Sequence, residues 1–137
     1  MEQFTIQNLT VRVSADFNYV WILLDEQTRS EQFAASLGDA SLHSLLRQYR
    51  VTNILLDCGK MWVFSIPEMS NYLDTDFTAA MRENAVEKIS VVVNDEVFSI
   101  MSFVFQGIEA NHAQGSPQIR FFNTTSFYES FESVAWF

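Results

Sequence analysis

The pair Asp57-Cys58 is the feature of this chain closest to reaction chemistry. With His43 it could form a thiol–imidazole nucleophile, in which the ring takes the thiol proton. His43, however, lies within the helical stretch Leu42–Leu46, and nothing in the sequence brings its ring to Cys58. A lone strand cysteine serves more simply as a small hydrophobe. His112 lies in a polar loop and is expected to be solvated. No HExxH, EF-hand, P-loop, GxGxxG or GxSxG pattern occurs. Cys58 is the only cysteine, which excludes an intrachain disulfide and a Cys₄ or Cys₂His₂ zinc site. An enzyme is therefore not expected, and neither is a cofactor or metal.

Two other groups of residues carry possible function. Asp57, Asp25-Glu26, Asn94-Asp95 and Asn123 would share the carboxyl edge of a parallel sheet, where ligands of open α/β folds gather. Such a rim could hold a cation or a basic partner. The same residue types also belong immediately before helix N-termini, as caps and dipole partners. The second group is an apolar surplus. Trp62, Val63 and Phe64 occupy a loop, and the stretch Val97–Ile108, with Phe98 and Phe103, is apolar around nearly its whole helical circumference. These residues pack beneath the domain's own helices, or form an oligomer or partner surface, or wall an apolar pocket.

The elements that must position these residues follow from periodicity. Phe4–Val13 alternates like a strand, with a slip of phase between Ile6 and Leu9 that a bulge or tight turn at Gln7-Asn8 would explain. Tyr19–Leu24 is a continuous apolar run, so an antiparallel hairpin opens the fold. Ser30–Tyr49 reads as helix, with Leu42, Leu45, Leu46 and Tyr49 on one face and a break at Gly38 that restarts at Asp39. Asn53–Cys58 is a buried strand. Ser65-Ile66-Pro67-Glu68 is a capping box for a helix through Met69, Leu73, Phe77 and Ala80. Lys88–Val93 is a strand, and Asn94 or Asp95 caps a helix to about Glu109. Gln118–Phe122 is the last strand, and Ser126-Phe127-Tyr128-Glu129 caps a terminal helix. Strands alternating with helices imply a largely parallel sheet. Right-handed crossovers place successive helices on one face unless the strand order reverses.

Composition narrows the partners. The 137 residues make one domain, 1–137, and no repeat with a period of 20–50 residues is visible. With 48% hydrophobic and 18% charged residues, disorder is not expected. The net charge of -9 disfavours nucleic acid and anionic membrane surfaces. Met1–Gln7 has no basic segment leading into an apolar run, and no apolar stretch approaches the roughly 20 residues of a membrane helix. A cytoplasmic location is expected. Eight of the 13 Phe lie in the last forty residues, which marks the C-terminal half as the place for an interface.

From Asn53 onward the chain resembles the STAS-domain family, the fold of the anti-sigma-factor antagonists. Ile54-Leu55-Leu56-Asp57 is similar to that family's buried strand ending in Asp, and a seven-residue loop, Cys58–Phe64, then precedes the capped helix. Lys88–Asn94 is similar to the strand before the third helix. Ile119-Arg120-Phe121-Phe122, with a close on Val134-Ala135-Trp136-Phe137, resembles the SpoIIAA-like subgroup. The resemblance implies an α/β superhelix with a mixed sheet of about five strands: an N-terminal antiparallel hairpin, then parallel strands, with four helices mainly on one face. It also implies a phosphoserine switch at the helix after the Asp-ending strand. Here Pro67 stands where the phosphoacceptor would be, and Ser65 is two residues early. The switch is therefore not expected, although a phosphate on Ser65 would be electrostatically welcome at a helix start.

The expected function is a non-catalytic interaction or regulatory module, homodimeric, with a protein partner and with Asp57, Trp62, Phe64, Ser65, Phe98 and Phe103 as its candidate residues. The alternative is binding of a small apolar or lipid-like ligand, as in the related CRAL-TRIO shape.

Overall fold

The computed structural model describes residues 2–6, 9–14, 19–24, 35–59, 73–110 and 117–124. They form an α/β domain around a six-stranded mixed sheet: β1 Glu2–Ile6, β2 Leu9–Ser14, β3 Tyr19–Leu24, β4 Asn53–Cys58, β5 Lys88–Val93 and β6 Gln118–Asn123. The strands lie side by side in chain order. β1, β2 and β3 are antiparallel, and β3 to β6 are parallel. The sheet has one strand more than the five expected because Phe4–Val13 is two strands. Ile6 pairs with Leu9, so the slip of phase is the tip of a hairpin and not a bulge.

Among the described residues the longer helices are α1 Ala40–Tyr49, α2 Thr78–Glu83 and α3 Asp95–Ala110, and residues 35–37 form a helical end before Gly38. A single π-helical turn, Leu73–Phe77, leads into α2. The chain turns at Gly38, and the Asp39 carboxylate accepts from the Ser41 N–H at 2.8 Å, so α1 restarts where expected. The expected helix starts at Ser65 and Ser126 lie outside the described residues.

Strand order never reverses, and the described helices all contribute to one core on one sheet face. Leu42, Leu45 and Leu46 of α1, Met81 of α2, and Met101, Phe105 and Ile108 of α3 pack there. They meet Val11, Ile22, Ile54, Leu56, Val91 and Phe121 from the strands. Phe105 stacks on Phe121 with ring centroids 4.1 Å apart, which fastens α3 to β6. The alternate positions Trp21, Leu55, Val92 and Phe122 form a smaller cluster on the other face. The opening hairpin extends the sheet sideways and does not cover that face.

Two helix ends use the same device. Arg50 after α1 and Ala85 after α2 both adopt positive φ, 51° and 61°. In each case the next N–H, of Val51 or Val86, reaches back to the carbonyl of Leu46 or Met81. The two valines are buried. This is the left-handed helix stop with its hydrophobic clasp, made here without glycine. Between these helices, buried Asn84 donates to His43 Nδ1 at 3.2 Å and accepts from Arg47 at 3.3 Å. His43 Nε2 lies 3.0 Å from the Leu37 carbonyl, which requires the N–H on Nε2. His43 thus joins α1 to the end of α2 and does not face Cys58.

A left-handed alanine costs about 1–2 kcal/mol that glycine avoids, less the extra freedom glycine brings to the unfolded chain. Ala85→Gly is expected to raise unfolding stability by roughly 0.5–1 kcal/mol. Urea titration checks this, and a loss of stability would contradict the left-handed assignment.

Candidate functional site

Asp57 ends β4 on the face away from the main core, opposite Leu23 and Val92 on the neighbouring strands. It is only 1% exposed. A carboxylate so deep needs donors, and one comes from the neighbouring strand and one from the chain just beyond β4. The Trp21 indole N–H donates to one oxygen at 3.1 Å, and the Gly59 N–H donates to the other at 3.0 Å. The Trp21 ring in turn lies under the Arg12 guanidinium, 5.4 Å from its centroid.

Gly59 sits in a crowded position. A Cβ there would sit 3.1 Å from Thr124 Oγ1 and 3.2 Å from Asp57 Oδ1. Thr124 itself donates to the Val93 carbonyl at 3.1 Å. The carboxyl ends of β4, β5 and β6 are thereby tied within a few ångströms of one another. At the same edge, Asn94 accepts from the Val97 N–H at 2.8 Å and caps α3. Asn94 thus acts as the helix cap that the sequence allowed as one reading of this rim. Asp25 and Glu26 lie outside the described residues. Among the described residues no three of His, Cys, Asp and Glu gather to hold a metal ion.

Cys58 points to the opposite face, into the main core. Burial pushes its thiol well above the ordinary value, and the charge of Asp57 pushes it further the same way. The reactive form is the thiolate, so this environment suppresses nucleophilicity.

The apolar candidates divide. Phe98 is half-buried, packs against the core and lies 6.3 Å from Phe105. Phe103 is 86% exposed. Beside it stand Ile100 at 67% and Val104 at 39%. Ile100, Phe103, Val104 and Gly107 follow the i, i+3, i+4, i+7 spacing and make one stripe on the outer side of α3. Ile100 and Val104 belong to the apolar stretch Val97–Ile108 but did not stand out from it in the sequence as Phe98 and Phe103 did. The signal was present, because Met101, Phe105 and Ile108 mark the inward face and leave these four outside it. Large apolar side chains exposed side by side, unlike a scattered single one, mark a contact surface. Trp62, Phe64 and Ser65 lie outside the described residues.

A shallow cleft of about 460 Å³ opens between the edge strand β1 and α1, lined by Phe4, Ile6 and Leu45 but also by Thr5, Ser41, Ser44 and Gln48. Tyr49 packs on Phe4 with ring centroids 6.1 Å apart, and its hydroxyl donates to the Glu2 carboxylate. That hydrogen bond raises the phenol above its ordinary value, with smaller contributions from burial and from the Glu2 charge.

No family model, no curated protein and no solved structure matches this chain.

Two outcomes test the roles assigned here. Asp57→Ala strands the Trp21 and Gly59 donors and is expected to cost about 2–3 kcal/mol in urea unfolding, with Asp57→Asn costing clearly less. Cys58 is expected to resist alkylation at neutral and mildly alkaline pH until the chain unfolds. Because the folded thiol titrates higher than the unfolded one, stability falls as pH rises past the ordinary value of 9.0. Native-state alkylation at the rate of a free thiol would contradict its burial, and a faster rate would show an activated cysteine.

Proposed function

We propose that this chain is a non-catalytic protein-interaction module of STAS-like type, working in the cytoplasm and docking through the outer face of α3. The observation that carries this reading is the stripe Ile100, Phe103 and Val104, with Phe103 86% exposed. A large aromatic side chain left in water forfeits a burial worth about 1.5–3 kcal/mol, which a partner surface recovers. Other features support the same reading. Asp57 is engaged in tying strands together, and Cys58 is held as an inert thiol. The -9 charge and the lack, among the described residues, of a helix able to cross a membrane favour a protein partner over a phosphate backbone or lipid.

The alternative, a small apolar ligand, would use the cleft beside β1. Four polar side chains line that cleft, and it is open to solvent. Ligand pockets ordinarily enclose most of an apolar ligand, so the cleft supports this reading less than the stripe supports docking.

The test is a photo-cross-linking side chain placed at Phe103, with the same probe at exposed Arg82 of α2 as the control. The expected result in living cells is a discrete protein adduct from position 103 alone, lost when Ile100 is also changed to Glu. Equal labelling from both positions, or none from either, would remove the docking surface.

A further inference from the structure

We infer that the stripe on α3 is built for a second copy of this chain, packed as an antiparallel helix pair about a two-fold axis. This rests on the docking reading above and names the occupant.

The first support is shape. A two-fold contact is self-complementary, so whatever residue i meets must be met by residue i in return. Along the stripe, Ile100 is a bulky side chain at one end and Gly107 is a bare backbone at the other. A Cβ built on Gly107 has nothing within 4 Å, so this chain does not itself use the missing side chain. A glycine inside a helix costs about 1 kcal/mol relative to alanine, and no contact among the described residues accounts for it. In an antiparallel pair, Ile100 enters the hollow over the second copy's Gly107, and the reciprocal contact forms at the other end. Phe103 then lies across from the second copy's Val104 at the centre. The smooth position lets the two helices approach closely, as ridges into grooves require.

The second support is charge. The chain carries -9, so two copies repel at a distance. Residues 97–108 contain no charged side chain, and the acids of α3 lie only at its ends. Glu109 is turned away to the sheet, where it accepts from the Phe121 N–H at 3.3 Å. That bond also occupies a donor of β6, which favours helix pairing over extension of the sheet at that strand. A strongly acidic chain can meet itself closely only across an uncharged surface, and this stripe provides one.

A stripe of four positions is smaller than the about 800 Å² per partner of a standard interface. It forms the apolar centre, and the association expected is reversible and in the micromolar range. Because the contact is neutral while the chains repel, salt strengthens it, opposite to an ion-paired complex.

Sedimentation velocity over a concentration series decides the question. Wild type is expected to pass from monomer to dimer in the micromolar range, and more readily in high salt. Gly107→Leu fills the hollow and is expected to weaken the dimer at least tenfold. It improves helix propensity, so a thermal melt at or above wild type shows that the fold is intact. The double variant Ile100→Ala with Gly107→Leu exchanges bulge for hollow and is expected to recover much of the association. A wild type that stays monomeric at several hundred micromolar, or a Gly107→Leu chain that dimerises as well as wild type, overturns the proposal. If the probe at Phe103 still gives an adduct that is not twice the chain mass, the second copy is wrong while docking survives. If it gives none, both fall.

Discussion

The chirality of the strand–helix–strand crossover is the constraint from which this architecture follows. A right-twisted strand feeding a right-handed helix returns to the sheet on one side only. Because β3, β4, β5 and β6 follow one another without reversal, every crossover repeats the same choice. The described helices accumulate on one face and share a single core. A reversal anywhere would have moved a helix to the other side and created the crevice in which open α/β folds usually hold ligands. This chain has no such switch between its described strands, which is consistent with a carboxyl edge occupied by its own caps and ties.

That geometry gives the two sheet faces different tasks. One is a packed hydrocarbon interior, in which Cys58 is another small apolar group. The other carries polar chemistry at Asp57, Trp21 and Arg12 around the small cluster of Leu55 and Val92. The carboxylate of Asp57 joins neighbouring strands and the first residue past β4 in one hydrogen-bonded unit. Outward display is left to α3. Its inner face is anchored to β6 by the stacked Phe105 and Phe121, so its outer residues are presented on a rigid support.

Much of the fold was legible in the residues. Tyr19–Leu24, Asn53–Cys58 and Lys88–Val93 stand where continuous apolar runs placed them, because strands buried on both faces leave little room for polar positions. The restart of α1 at Asp39 was legible because a cap is a local event. The antiparallel pairing with Tyr19–Leu24 was legible too, but the division of Phe4–Val13 into two strands stayed open between a bulge and a tight turn, since a two-residue connection looks in sequence like a slip within one strand. The left-handed stops at Arg50 and Ala85 were invisible because glycine is the usual signal and neither position has it. Of the candidate residues, Phe103 was found on composition, but its neighbours emerged only when the inward face of α3 fixed the helical phase. The burial of Asp57 depends on Trp21, far away in the chain, and no local pattern encodes that pairing.

The paired helix stops have a consequence for how the chain tolerates change. After each one the chain meets the sheet at the same level. Thr52, just before β4, accepts from the first N–H of β5, and Glu87, just before β5, accepts from the first N–H of β6. The stretch from β5 to β6 is shorter than that from β4 to β5, yet the strands still start flush. Registration is thus set afresh at each strand and does not depend on the length of chain that came before. A residue gained or lost on the far side of a helix changes a loop and leaves the strand alignment alone. Sequence drift in those connections can therefore be large while the scaffold that presents α3 keeps its dimensions.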